Sequence, residues 1–332
     1  MIDIVAEFGQ SHGGRLSTAM VQAATAKDAG CSYVKWQTFA PERLVSRTAG
    51  RYWSEHLGGA ASQYQTFVDN GMLKPYDWKT LGDYCRTLGV GFMSSPFDLE
   101  AVDLLVDAGV DAFKLASGEI THRQLLQKVA ATGKKVFLST GAADEHEIEQ
   151  ALDWLCPSTD VTLLACTLAY PCPDGHANLA RIQALDYFGW PVGYSDHTLR
   201  TDTALAAVCA GASVLEKHCT LDEEGSVPDD KMALNPVRLR QYVEYAQLGE
   251  RMRGGQYVGV EPSEVEMSAR AGARRSLHAA VDIPAGKTLQ VDDFVCLRPG
   301  GPFAPADVDV LVGRTAARGI SAGDQIRHED VT

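Results

Sequence analysis

Residues 191–218 read Pro-Val-Gly-Tyr-Ser-Asp-His-Thr-Leu-Arg-Thr-Asp-Thr-Ala-Leu-Ala-Ala-Val-Cys-Ala-Gly-Ala-Ser-Val-Leu-Glu-Lys-His. A short apolar strand, Pro191–Tyr194, precedes a helical stretch, Thr201–Ala210, and a second strand, Ser213–Glu216. Strand, helix, strand is the repeating unit of a parallel sheet. The same rhythm extends back to the N-terminus. Strands are expected at Ile2–Ala6, Tyr33–Gln37, Gly91–Ser94, Ala112–Ala116, Lys135–Ser139 and Val161–Cys166. Helices are expected at Leu16–Ala29, Trp78–Leu88, Leu99–Ala108, Arg123–Ala131, Glu145–Leu155, Ala177–Leu185 and Val237–Leu248. Eight units in about 250 residues is the size of a (β/α)8 TIM barrel; a doubly wound open sheet is the alternative. The strand ends favour the barrel. They carry Glu7, Lys35 and Gln37, Ser94 and Ser95, Lys114 and Ser117, Ser139 and Thr140, Thr167, Ser195 and His197, then Lys217 and His218. In a barrel all of these ends converge on one mouth.

The rest of the chain bounds the function. It has 332 residues and a net charge of −13, from 30 Lys+Arg against 43 Asp+Glu. With no basic run longer than Arg274-Arg275, a general nucleic-acid binder is disfavoured. No run approaches the ~18 apolar residues of a membrane span, and Met1–Glu7 lacks the cationic start of a secretory signal. A cytoplasmic location is expected, with the eight cysteines reduced and mostly structural. The polar segment from Thr38 to about Gly71 is long enough to be a functional loop. From Gly254 the rhythm stops. Residues 1–253 are therefore expected as the barrel, 254–275 as a linker and 276–332 as a small β-rich domain. That domain contains two similar units, Val281-Asp-Ile-Pro-Ala-Gly and Arg318-Gly-Ile-Ser-Ala-Gly.

Three constellations carry chemistry. His197 and His218 end neighbouring strands and could share a divalent ion, or they could be independent hydrogen-bonding histidines. Lys35 and Lys114 sit in apolar strand ends, where a lysine is costly unless paired. They form an anion pocket, or one forms a Schiff base, or they are bound in salt bridges with Glu7, Glu119 or Glu216. The turns Ser117-Gly118-Glu119 and Ser139-Thr140-Gly141 offer hydroxyls and backbone N–H groups to phosphate oxygens. Glu7 is a candidate base or metal neighbour, or a partner for Lys35, and Asp229 is an acid beyond strand eight. No GxGxxG or Walker loop appears, so a dinucleotide or ATP site has no support.

In order along the chain, the motifs are Ile4-Val-Ala-Glu-Phe-Gly with His12-Gly13, Val34-Lys-Trp-Gln-Thr, Ser94-Ser-Pro-Phe-Asp and Lys114-Leu-Ala-Ser-Gly-Glu-Ile. Ser139-Thr-Gly, Cys166-Thr with Tyr170-Pro, Gly193-Tyr-Ser-Asp-His-Thr and Glu216-Lys-His-Cys-Thr-Leu-Asp follow. Together they resemble the N-acetylneuraminate (sialic acid) synthase family. Ala273-Arg-Arg-Ser-Leu and Arg298-Pro-Gly resemble its C-terminal antifreeze-like (SAF) domain. The resemblance implies a TIM barrel followed by a SAF domain. It also implies condensation of phosphoenolpyruvate with the open-chain aldehyde of an N-acylated hexosamine, such as N-acetylmannosamine, giving a nine-carbon 2-keto acid and phosphate. It implies Mn²⁺ or Mg²⁺ on His197 and His218, and phosphoenolpyruvate on Lys35, Ser95, Lys114, Ser117, Ser139 and Ser195. Sugar contacts fall to Gln37, Tyr170, Asp229 and Arg298, and catalytic roles to Glu7, Lys35, Lys114 and Asp229. A homodimer is implied in which Arg298 reaches into the partner's barrel.

Three positions depart from that pattern. Leu168 follows Cys166-Thr167 where the family has Ser or Asn. Val227-Pro228-Asp229-Asp230 stands for Gly-Pro-Asp-His. Trp36 is bulkier than the usual Phe or His. Losing a hydrogen-bonding partner changes selectivity strongly, so plain N-acetylmannosamine is not expected to be the preferred acceptor. The alternative is a sister synthase acting on a diamino-dideoxy (legionaminate- or pseudaminate-type), phosphorylated or otherwise unusual sugar aldehyde.

Overall fold

Period-two alternation along eight strands builds the structure, a computed structural model that describes residues 2–155, 160–254 and 261–332. The strands are β1 Asp3–Glu7, β2 Tyr33–Thr38, β3 Gly91–Pro96, β4 Ala112–Leu115, β5 Lys135–Ser139, β6 Val161–Cys166, β7 Val192–Asp196 and β8 Val214–His218. Each pairs in parallel with the next, and β8 returns to β1, so the barrel is closed and the expected TIM fold is borne out. Outward positions such as Val34, Phe92, Phe113, Val136, Leu163 and Leu215 pack beneath the helices in one large core. Inward positions Val5, Met93, Ala112, Phe137, Leu164 and Val214 fill the barrel's interior. The helices follow their expected spans closely, ending for example at Gly30 and Gly109 in the left-handed conformation that favours glycine.

The loop after β2 is more ordered than a plain connection. It holds short helices at Pro41–Leu44, Glu55–Leu57 and Gln63–Asn70. Polar composition concealed them, because their apolar residues face the mouth rather than a continuous core stripe.

The chain divides into two compact units, Met1–Gly255 and Gln256–Thr332. Within the segment expected as linker, Glu264–Ala273 is a helix. Its start is the Ser263 capping box with Glu266, a signal concealed by the polar setting. In the second unit β9 Ser276–Ala279 pairs antiparallel with β10 Phe294–Leu297. The two repeated units pair with each other: Ile283 and Ile320 exchange backbone hydrogen bonds of 2.8 and 2.9 Å. Their turns use Gly286 and Gly323 at positive φ. No helix among the described residues is long and apolar enough to cross a membrane.

Candidate active site

Toward the C-terminal ends of the strands, the barrel interior turns from apolar to charged. Glu7, Lys35, Lys114 and Glu216 all point inward and are buried. Lys35 Nζ lies 2.6 Å from Glu7 Oε2 and 3.9 Å from Glu216 Oε2, and donates to Ser95 Oγ at 3.2 Å. Lys114 Nζ lies 3.2 Å from Glu216 Oε1, which also accepts from Ser195 Oγ at 3.1 Å. Gln37 Nε2 donates to Glu7 Oε1 at 3.1 Å. Burial alone would lower the Lys35 pKa, but Glu216 and Glu7 outweigh it and hold it above its ordinary value. Burial likewise works against the Glu216 charge, and Lys114 and Lys35 reverse that and lower its pKa. The salt bridges weighed against an anion pocket are therefore present, through Glu7 and Glu216. Glu119 is not part of them, since it pairs with His122 at 3.1 Å.

The quartet sits at the base of a cavity of about 320 Å³. One wall is polar and includes Ser95, Ser117, Ser139 and Ser195. Ser139 Oγ is buried without a hydrogen-bond partner. Gly141 N–H donates to Ser117 Oγ at 3.0 Å, and a Cβ at Gly141 would come within 2.7 Å of that oxygen. The apolar part of the lining is Leu44, Tyr52, Trp53, Leu57 and Phe67 from the loop after β2, while Leu168 stands beside Ser117, its Cβ 3.3 Å from where a Gly141 Cβ would lie.

His197 and His218 meet above the quartet with ring centroids 5.5 Å apart. Tyr170 lies against both, at 4.2 and 6.1 Å. His197 Nδ1 donates to the Thr167 carbonyl at 2.9 Å, so in the neutral ring Nε2 carries the lone pair; burial works against the charged ring, and Cys166 and Thr167 outweigh it and raise its pKa. Burial, followed by His197 and the nearby lysines, pushes the His218 pKa well below its ordinary value. Asp229 Oδ2 stands 3.7 Å from His218 Nδ1. Burial, then Glu7 and Asp230, push its pKa up to about 7. Among the described residues, no group of three or more His, Cys, Asp or Glu side chains is placed to hold a metal ion. The imidazoles fit an open site in which water and substrate complete the ligand set.

A match to the NeuB family spans residues 20–257, and a match to the SAF domain spans 274–332. The chain belongs to the NeuB family. It is 36% identical over 332 residues to N,N'-diacetyllegionaminic acid synthase of Campylobacter jejuni, covering 98% of each chain. It is 34% identical to the protein of the same name from Legionella pneumophila, over 99% of this chain and 94% of that one. Among solved structures, N-acetylneuraminic acid (sialic acid) synthetase from Leptospira borgpetersenii is similar, with TM-score 0.71 and 29% identity over 81% of this chain and 90% of that chain. The family membership bears out the expected enzyme class, a synthase of the transferase type.

The barrel of this NeuB-family chain brings Glu7, Lys35, Gln37, Ser95, Lys114, Ser117, Ser139, Tyr170, Ser195, His197, His218 and Asp229 to one cavity. Arg298 belongs to the second unit, where it is exposed just beyond β10. Several strand-end groups do not reach the mouth. Ser94 Oγ donates to the Trp36 carbonyl at 2.9 Å, Thr167 Oγ1 donates to the His176 carbonyl at 2.7 Å, and Lys217 pairs with Asp196 outside the barrel. Period two explains Ser94 and Lys217, because each is one residue out of phase with an inward neighbour.

The three departures separate in the same way. Leu168 lines the cavity. Trp36 points into the helix layer, where its indole donates to Gln22 Oε1 at 2.8 Å. Asp230 does not line the cavity and accepts from Ser11 Oγ in the loop after β1 at 2.6 Å and from Thr220 Oγ1 in its own loop at 2.7 Å. Two groups were not among the expected site residues. Glu216 could have been found as the residue two before His218, on the same strand face. Cys166 could have been found likewise as the last inward position of β6; its Sγ lies 3.7 Å from His197 Nδ1.

Proposed function

We propose that this enzyme condenses phosphoenolpyruvate with the open-chain aldehyde of an N-acylated hexosamine, giving a nine-carbon 2-keto acid and phosphate. The observation that carries the reading is a buried Glu7–Lys35–Glu216–Lys114 quartet beside an unpartnered Ser139 hydroxyl, directly below two imidazoles. In this reading Lys35, Lys114, Ser95, Ser117, Ser139 and Ser195 receive the carboxylate and phosphate oxygens. The two lysines are already matched by two glutamates, so an enol phosphate brings uncompensated negative charge into a buried site. A divalent ion on His197 and His218, Mn²⁺ or Mg²⁺, would balance that charge and polarise the aldehyde oxygen as a Lewis acid.

The chemistry needs C3 of the enol to form a bond to the aldehyde carbon. Positive charge develops at C2, water adds there, and phosphate departs as its C–O bond breaks. Glu216 and Glu7 lie beside the place where the positive charge forms and stabilise it. Asp229, holding its proton up to about pH 7, donates it to the developing alkoxide. Gln37 and Tyr170 hold the sugar. Arg298 contacts the acyl substituent from a partner subunit in a homodimer.

One feature favours the sister-synthase reading for the acceptor. Leu168 offers no hydrogen bond, and the apolar wall of Tyr52, Trp53 and Leu57 lines the same cavity. That wall suits a diacylated, dideoxy sugar better than a fully hydroxylated one. The names of the Campylobacter and Legionella relatives point the same way. Phosphate release from phosphoenolpyruvate with Mn²⁺ is to be measured across a panel of hexosamine aldehydes, with the mass of each product. Release with an N-acylated acceptor is expected, fastest with a diacylated dideoxy sugar. Best turnover with N-acetylmannosamine sinks the sister-synthase assignment, and no release with any member of the panel sinks the whole reading.

A further inference from the structure

Behind the two imidazoles, on the outer face of the barrel, lies a buried ion pair that the proposed reaction does not use. Asp196 and Lys217 stand opposite each other in the β7–β8 pairing. Alternation turns them outward, between the inward Ser195 and His197 on one strand and the inward Glu216 and His218 on the other. Their charged groups are 3.0 Å apart and both side chains are at most 1% exposed. Desolvating two ions costs several kcal/mol each, and well-packed apolar residues commonly do as well or better for stability. One step back along each strand, Tyr194 and Leu215 fill outward positions with mostly apolar side chains. Stability alone therefore does not account for the charges.

Their hydrogen bonds point to a different role. Asp196 Oδ1 accepts the Thr198 N–H at 2.8 Å, and Lys217 Nζ donates to the Thr198 carbonyl. Thr198 directly follows His197. A carboxylate on β7 and an ammonium on β8 thus grip both ends of the residue next to one imidazole, and the ammonium comes from the residue before the other. From the inner side, the His197 carbonyl accepts the Cys172 N–H at 2.8 Å and its Nδ1 is held on Thr167. The Tyr242 ring closes the outer side, with its centroid 5.7 Å from Lys217 Nζ.

We infer that Asp196 and Lys217 are a positioning pair that presets the separation of His197 and His218 for one shared divalent ion. The inference rests on the reading of those imidazoles as metal ligands given above. It is tested in the full-length protein with Lys217→Met, Asp196→Asn and the apolar double variant Asp196→Leu/Lys217→Met. Mn²⁺ affinity is read from the electron paramagnetic resonance signal of the free ion, beside the melting temperature and the KM for phosphoenolpyruvate. Groups that orient metal ligands typically contribute about tenfold or more to affinity. Mn²⁺ affinity is expected to fall at least about tenfold in each variant, with the KM for phosphoenolpyruvate within about twofold of wild type. The double variant leaves no lone buried charge, so it keeps the fold if the single variants lose it, and its Mn²⁺ affinity is still expected to fall. Wild-type affinity in the folded double variant overturns the positioning role and leaves the metal reading intact. Absence of Mn²⁺ binding in the wild-type protein overturns both.

Discussion

Lys114 and Glu216 show how one residue's chemistry depends on a partner 102 positions away. Replacing Lys114 by Met would remove an anion contact and leave Glu216 with one cation fewer in a buried site. Charged hydrogen bonds of this kind contribute about 1.5–3 kcal/mol, so kcat/KM for phosphoenolpyruvate is expected to drop by at least about tenfold in steady-state phosphate release. Undiminished kcat/KM would remove Lys114 from the anion site. His12 allows a pH prediction away from the cavity. It is fully buried, its Nδ1 accepts the Gly14 N–H at 2.9 Å, and burial lowers its pKa from 6.5 to about 4. The folded protein therefore refuses a proton that the unfolded chain binds between those values. His12's contribution is complete above pH about 6.5 and is lost as the pH falls toward 4, by up to about 3 kcal/mol. Urea unfolding at pH 7 and 4.5 should show that loss in the wild type and a smaller one in His12→Asn. Equal losses would exclude His12 as the source.

At the scale of elements, inward strand positions are decided by volume as much as by charge. Gly193 sits in β7 where a Cβ would lie 2.6 Å from the Val214 carbonyl and 2.7 Å from Leu164 Cδ2. Gly193→Ala should overpack the interior and cost about 1–3 kcal/mol or more in denaturant unfolding; wild-type stability would contradict the packing. Gly141→Ala is expected to act on the site instead. Its Cβ would press on Ser117 Oγ, so the KM for phosphoenolpyruvate should rise with little change in stability. The strands and helices themselves were legible, since each alternates β-branched or aromatic residues with a loop and an amphipathic stretch. The helices inside 38–71 and 254–275 were not. The helices of 38–71 turn Leu44, Leu57 and Phe67 toward the cavity, a partner that only a folded chain supplies, and Glu264–Ala273 buries no residue, so its capping box is its main local signal.

For the whole molecule, the proposed activity depends on a removable ion. EDTA should abolish phosphate release and added Mn²⁺ restore it, while borohydride with substrate should leave the enzyme active; inactivation by borohydride would revive the Schiff-base reading of Lys35 or Lys114. The proposed dimer has its own test. Mixing inactive Arg298→Ala and Lys114→Met proteins under subunit exchange should restore part of the activity if Arg298 acts on the partner's site, and none if it acts on its own. By itself the sequence determined the eight-fold strand–helix rhythm, the types of group at each strand end and the family they resemble, because backbone periodicity and local composition are properties of consecutive residues. Only the tertiary structure decided which of those groups share a cavity. Closure of the barrel turns alternate side chains to opposite faces, so Glu216 and His218 face the cavity while Lys217, lying between them, faces Asp196 in the outer layer.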